Sequence, residues 1–193
     1  ADAPVCLAAR PCFMGGVGEL LTEAPHLPSA WMVLANPGVA VATPAVFKSR
    51  RGGFSAPARF EQSPADLDEL AALLAERGND LTDAARHLCP VIGEVLARLG
   101  AAKGSRLARM SGSGATCFGL FANEDEAKAA AAELAADQPG WWVKAGRMLP
   151  RPAGSPPLPD ADFFDVLTAA AGKIDLAPPP AAPFPDTGGW GVG

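Results

Sequence analysis

The chain has 193 residues, 49% of them hydrophobic, and its sixteen basic and twenty-one acidic side chains give a net charge of −5. That length suits one domain with appendages or a piece of a larger protein, with enough apolar content for a sizeable core. No apolar run reaches the roughly 18 residues that span a bilayer, no signal-peptide pattern opens the chain, and scattered basic residues argue against a nucleic-acid surface.

The start, Ala1-Asp2-Ala3-Pro4, lacks an initiator Met and reads as a fragment or a processed product. Residues 5–23 read as strand and turn: Val5 to Ala8, then Cys12-Phe13-Met14, interrupted by Gly15, Gly16 and Gly18. Trp31 to Ala35 is a compact apolar strand bounded by the turn signal Asn36-Pro37-Gly38. Residues 49–62 read as a loop, and Lys48-Ser49-Arg50-Arg51, the only local basic cluster, as its solvated start.

Three helices carry clearer signals. The first opens with Ser63 as N-cap and Pro64 at the first position, carries Leu67, Leu70 and Leu74 on one face, and stops at Gly78. Its acids Asp66, Asp68 and Glu69 suit the positive end of the helix dipole. The second begins near Asp80 and spaces Leu81, Leu88, Ile92, Val95 and Leu99 helically up to Gly100, with Pro90 predicted to kink or split it. The third opens at Asn123, has Glu126 in capping-box position, and runs to about Ala136.

Arg106–Met110, Ala115–Phe121 and Trp141–Ala145 are the remaining strand candidates. Strands and helices interleave without a long parallel series. The pattern predicts an α+β fold, a mainly antiparallel sheet with helices on one face, in a ferredoxin-like split βαβ layout. From Leu149 the composition shifts: ten of the twenty prolines fall between Pro150 and Pro185, predicting an extended or disordered tail. Asp162 to Leu176 could form one short helix within it.

Cys6, Cys12, Cys89 and Cys117 form no Cys-x-x-Cys pair, and neither His26 nor His87 completes a zinc spacing. They read as buried free thiols of a reducing cytoplasm, and no metal ligand is assigned. His87 reads as a structural or exposed histidine, and Trp141 and Trp142 as core and surface partners.

The most informative stretch is Ser111-Gly112-Ser113-Gly114-Ala115-Thr116. Its glycines permit positive φ and close approach. Two readings are open on spacing alone: a tight hairpin connection, or successive N–H groups aimed at an anion.

Five segments taken in order resemble one family. They are Ala1-Asp2-Ala3-Pro4; Gly15-Gly16-Val17-Gly18-Glu19; Asn36-Pro37-Gly38-Val39 continuing to Thr43-Pro44-Ala45-Val46-Phe47; Asn79-Asp80-Leu81; and Ser111 to Thr116. Together, over roughly residues 1–148, they are similar to the C-terminal part of the 4-diphosphocytidyl-2-C-methyl-D-erythritol kinases of the GHMP kinase superfamily. The combination is specific although each piece is weak.

The resemblance implies a cytoplasmic phosphotransferase of non-mevalonate isoprenoid biosynthesis that uses ATP and Mg2+. Its substrate would be a small cytidine diphosphate derivative; no nucleic acid or membrane partner is implied. By the same resemblance Asp2 is the catalytic acid/base, with Ala3 in place of the usual valine. Ser111, Gly112, Ser113 and Gly114 belong to the glycine-rich loop near the phosphates, and Thr43, Pro44 and Phe47 shape the cytidine pocket, with Phe47 stacking on the base. An ordinary core role for Phe47 is the rival. The family's ATP loop and catalytic lysine lie upstream of the segment matching Ala1, so the chain is expected to be a fragment, inactive alone. Residues 1–24 would end the N-terminal kinase domain, 25–148 form the C-terminal domain, and 149–193 form the tail. The alternatives are another GHMP kinase, of homoserine or mevalonate type, and a non-catalytic ferredoxin-like binding module.

Overall fold

The computed structural model describes residues 3–16, 18–149 and 158. Asp2, and the tail beyond Leu149 except for Leu158, lie outside the described residues, and so does the helix expected between Asp162 and Leu176.

A first helix α1 (Ala3–Ala8) leads into a two-stranded antiparallel hairpin, β1 (Cys12–Gly15) and β2 (Leu20–Glu23), paired from Cys12↔Glu23 to Gly15↔Leu20. Val5 to Ala8 is therefore helical rather than a strand. Pro4 sits in the first turn, where its missing N–H costs nothing. A run of six residues shows too few turns for periodicity to reveal it.

The main sheet contains β3 (Trp31–Asn36), β4 (Leu107–Met110), β5 (Cys117–Phe121) and β6 (Trp142–Arg147), all antiparallel, in the spatial order β4-β5-β3-β6. Between β3 and β4 run α2 (Thr43–Ser49), α3 (Leu67–Ala75), α4 (Thr82–Leu88) and α5 (Val91–Ala101), and α6 (Glu124–Asp137) links β5 to β6. In chain order the four strands lie second, third, first, fourth, which is the expected split βαβ arrangement.

Alternation along each strand sorts the core. Val33, Ala35, Cys117, Phe121 and Met110 turn to one face, where Ile92, Val95 and Leu99 of α5 and Ala127, Ala130 and Leu134 of α6 cover them. Full burial of a side chain such as Ile92 or Val95 contributes about 1.5–3 kcal/mol relative to exposure. The expectation of helices on one face holds for α5 and α6 and needs one correction. Met32, Phe118 and Leu120 point the other way, and Leu67 and Leu70 of α3 pack with them.

The caps explain the helix boundaries. Asp66, not Ser63, caps α3: its Oδ1 accepts from the Glu69 N–H at 2.9 Å, while Glu69 Oε2 accepts from the Ala65 N–H at 2.7 Å. Asn123 caps α6 by accepting from the Glu126 N–H at 2.9 Å, as expected. Pro90 splits the second predicted helix into α4 and α5, because the residue before a proline avoids the helical region; Cys89 sits at φ −141°, ψ 83°. None of the four cysteines is paired. Cys89 and Cys117 are buried as expected, Cys12 is half-buried, but Cys6 is exposed. Burial pushes the Cys117 thiol up to about 12, so it stays protonated. Among the described residues no helix is long and apolar enough to cross a membrane.

Candidate functional site

The Ser111–Thr116 segment is the connection between β4 and β5, so the hairpin reading is correct. Ser111 N–H donates to Thr116 O at 2.9 Å and Gly114 N–H to Ser111 O at 3.0 Å, closing a tight turn. Gly112 and Gly114 sit at φ +53° and +88°, where a side chain would be strained. The Gly112 and Ser113 N–H groups meet no acceptor among the described residues. The anion-nest reading is thus compatible with the hairpin: the same turn closes on itself through the Ser111 and Gly114 N–H groups and leaves those of Gly112 and Ser113 open.

Three side chains from distant elements hold this turn. Thr43, at the start of α2, shares a 2.8 Å hydrogen bond between its Oγ1 and Ser113 Oγ. Asn36, at the end of β3, donates from Nδ2 to Thr116 Oγ1 at 2.8 Å, and its Oδ1 accepts from the Gly38 N–H at 2.8 Å. Asn79 donates from Nδ2 to Met110 O at 3.0 Å and to Gly112 O at 2.8 Å, and its Oδ1 accepts from the Leu81 N–H at 3.0 Å.

Helix α2 was not foreseen. Pro44 in its first turn starts it, and the buried Val46 anchors it to the core. The four-residue step from Thr43 to Phe47 places both on one side of the helix. Thr43 and Pro44 are exposed and Phe47 is 50% exposed, so Phe47 is not a core side chain. The structure therefore brings Thr43 to the glycine turn and leaves the Phe47 ring open to a ligand, while Asp2 lies outside the described residues.

Sequence reasoning quoted Asn36 and Asn79 without giving them a task. Their signal was present: an Asn before Pro-Gly and an Asn before a helix both favour side-chain bonds to nearby backbone. It also took Lys48–Arg51 for a solvated loop. Those residues, with Asp80, Asp83, Ala84 and the exposed His87, line a cleft of about 640 Å³ beside α2 and α4. Asp80 accepts from the Ser55 hydroxyl and, at 2.8 Å, from the Ser55 N–H, and these bonds hold its carboxyl below the ordinary carboxylate range. Among the described residues no group of three or more His, Cys, Asp or Glu side chains could hold a metal ion.

Residues 58–139 match the family described as GHMP kinases C terminal. The chain is 54% identical over 149 residues to 4-diphosphocytidyl-2-C-methyl-D-erythritol kinase of Paramagnetospirillum magneticum, covering 77% of this chain and 52% of that protein. It is 52% identical over 149 residues to the protein of the same name from Rhodospirillum rubrum, covering 77% of this chain and 49% of that one. A crystal structure of 4-(cytidine 5'-diphospho)-2C-methyl-D-erythritol kinase superposes with a TM-score of 0.55 at 34% identity, over 76% of this chain and 52% of that one. The chain spans about half the length of the curated relatives it matches, and the segment that matches the GHMP kinase C-terminal family includes the glycine turn.

Proposed function

We propose that this chain supplies the acceptor-substrate side of an ATP-dependent kinase acting on the 2-hydroxyl of 4-diphosphocytidyl-2-C-methyl-D-erythritol. The observation that carries the reading is the 2.8 Å bond between Thr43 and Ser113, which joins a helix bearing an open aromatic ring to a turn bearing open N–H groups. The names of the relatives support the substrate. In this reading residues 1–24 close the first half of the kinase, 25–148 form the C-terminal domain, and 149–193 are an appended tail.

The residues would divide the chemistry as follows. Phe47 offers a π face to the cytosine ring, with Thr43 and Pro44 bounding the pocket. The Gly112 and Ser113 N–H groups, flanked by Ser111 and Gly114, would meet the negative charge of a phosphoryl group in transfer, and donors fixed beforehand stabilise such charge best. Asp2 would orient the 2-hydroxyl and take its proton as that oxygen bonds to the γ-phosphorus and ADP departs. Magnesium, expected with ATP, is assigned no ligand and no step here.

The test is ADP release by the protein, in the longest form in which it is expressed, with ATP and 4-diphosphocytidyl-2-C-methyl-D-erythritol. Turnover is expected with this alcohol and not with homoserine or mevalonate; the reverse would move the chain to another GHMP kinase. Asp2→Ala is expected to lower kcat by roughly 10²–10⁴-fold, and a near-normal kcat would remove Asp2 from its role.

A further inference from the structure

We infer that Asn79 is a positioning residue that aims the Ser113 N–H out of the glycine turn. The inference deepens the kinase reading above and rests on it for the identity of what that N–H meets. An amide side chain has two N–H donors and one acceptor oxygen, and Asn79 uses all of them. The donors go to Met110 O at 3.0 Å and Gly112 O at 2.8 Å, the two carbonyls that bracket Ser111.

A trans peptide is planar, and its C=O and N–H point in opposite directions. Fixing Met110 O toward Asn79 therefore fixes the Ser111 N–H away from it, and that N–H closes the hairpin on Thr116 O at 2.9 Å. Fixing Gly112 O toward Asn79 in the same way turns the Ser113 N–H away from it, and this N–H has no acceptor among the described residues. One side chain thus sets two peptide planes, one for the fold and one for the ligand. Gly112, at φ +53°, would lose least by rotating if that hold were released.

The third bond separates this role from a merely structural one. Asn79 Oδ1 accepts from the Leu81 N–H at 3.0 Å, beside the start of α4. Asn79→Asp keeps an oxygen for Leu81 and has nearly the same shape, but loses both donors. Asn79→Ala loses all three bonds. A role confined to the start of α4 predicts an Asp variant like the parent and a damaged Ala variant.

The positioning role predicts that both variants lose kcat, by roughly tenfold or more, since an aimed donor at developing charge is worth up to 10²–10³-fold. KM for the alcohol substrate should stay within about twofold, because the turn acts on the phosphoryl group rather than on the base. A parent-like kcat in Asn79→Asp, or a loss that appears in KM instead, overturns the inference. Amide exchange at Ser111 gives a readout that needs no activity: it should accelerate in Asn79→Asp. If the parent protein, in the longest form in which it is expressed, transfers no phosphoryl group, the kinase reading falls by itself. Ser111 exchange then decides the clamp alone, with unchanged protection overturning it.

Discussion

Two glycine-bearing loops meet at adjacent residues, Asn79 and Asp80, and they are held in opposite ways. The 111–116 turn is held by three neutral side chains, Asn36, Thr43 and Asn79, and its Ala115 is buried. Residues 51–59 are exposed throughout. Their middle is tied by the Asp80 carboxylate to Ser55, and nearer α2 by Arg50, which bonds Gly53 O at 2.8 Å and lies 3.7 Å over the Phe54 ring. The first loop depends on geometry inside a packed frame and the second on an ionised group in water. The turn should therefore answer to changes of shape, and the outer loop to changes of charge.

The largest expected effect is on the turn. A Cβ on Gly114 would lie 3.0 Å from Met110 Sδ and 3.1 Å from Ile92 Cδ1, at φ +88°, and both neighbours are in the core. Gly114→Ala combines backbone strain with overpacking and is expected to cost roughly 2–4 kcal/mol in urea unfolding. A loss below about 1 kcal/mol would mean that the turn is not as rigidly framed as its contacts imply.

The same contrast explains what the sequence disclosed. Long elements declared themselves: the apolar spacing of Ile92, Val95 and Leu99 gave α5, the Asn123–Glu126 cap gave the start of α6, and a compact apolar run ended by Asn36-Pro37-Gly38 gave β3. Short ones did not. Seven-residue α2 and four-residue β2 carry too little periodicity; α2 is placed by Val46 in the core and Thr43 on the distant glycine turn, and β2 by its pairing with β1. The cap of α3 was misplaced by three residues because Ser63-Pro64 and Asp66 both present N-terminal signals, and only the tertiary position of Leu67 and Leu70 chooses between them. At the site, Thr43 and the glycine turn were legible as separate segments. Their contact across 70 residues was not, nor was the double donation of Asn79, since a side-chain bond to a remote carbonyl leaves no local pattern.

On the outer loop the expected effects are smaller and electrostatic. Asp80→Ala should speed amide exchange at Ser55 and leave Ser111 unchanged, because the Asp80 bonds reach only the first. The pH sign follows from the direction of the shift. The Asp80 carboxyl is held below its ordinary value, first by the Ser55 hydroxyl and then by the Ser55 N–H. The tether is therefore fully present above the ordinary carboxylate range and is lost as pH falls through the depressed value. Ser55 protection should fall in that acid window while Ser111, held by neutral groups, keeps its own. Loss of both together would show that the loops open as one unit.

The smallest effects come from two neighbours in the same loop and should have opposite signs. Nothing lies within 4 Å of a Cβ built on Gly52 or on Gly53, so packing distinguishes neither. Conformation does. Gly52 sits at φ +80°, where an L side chain costs about 1–2 kcal/mol, whereas Gly53 is not among the positive-φ glycines. Gly53→Ala should therefore be neutral or raise stability by up to about 1 kcal/mol, by restricting the unfolded chain. Gly52→Ala should lower it. Equal effects in thermal unfolding would mean that the outer loop does not hold the positive φ of Gly52 in solution, and that Asp80 and Arg50 together are too weak to define its backbone.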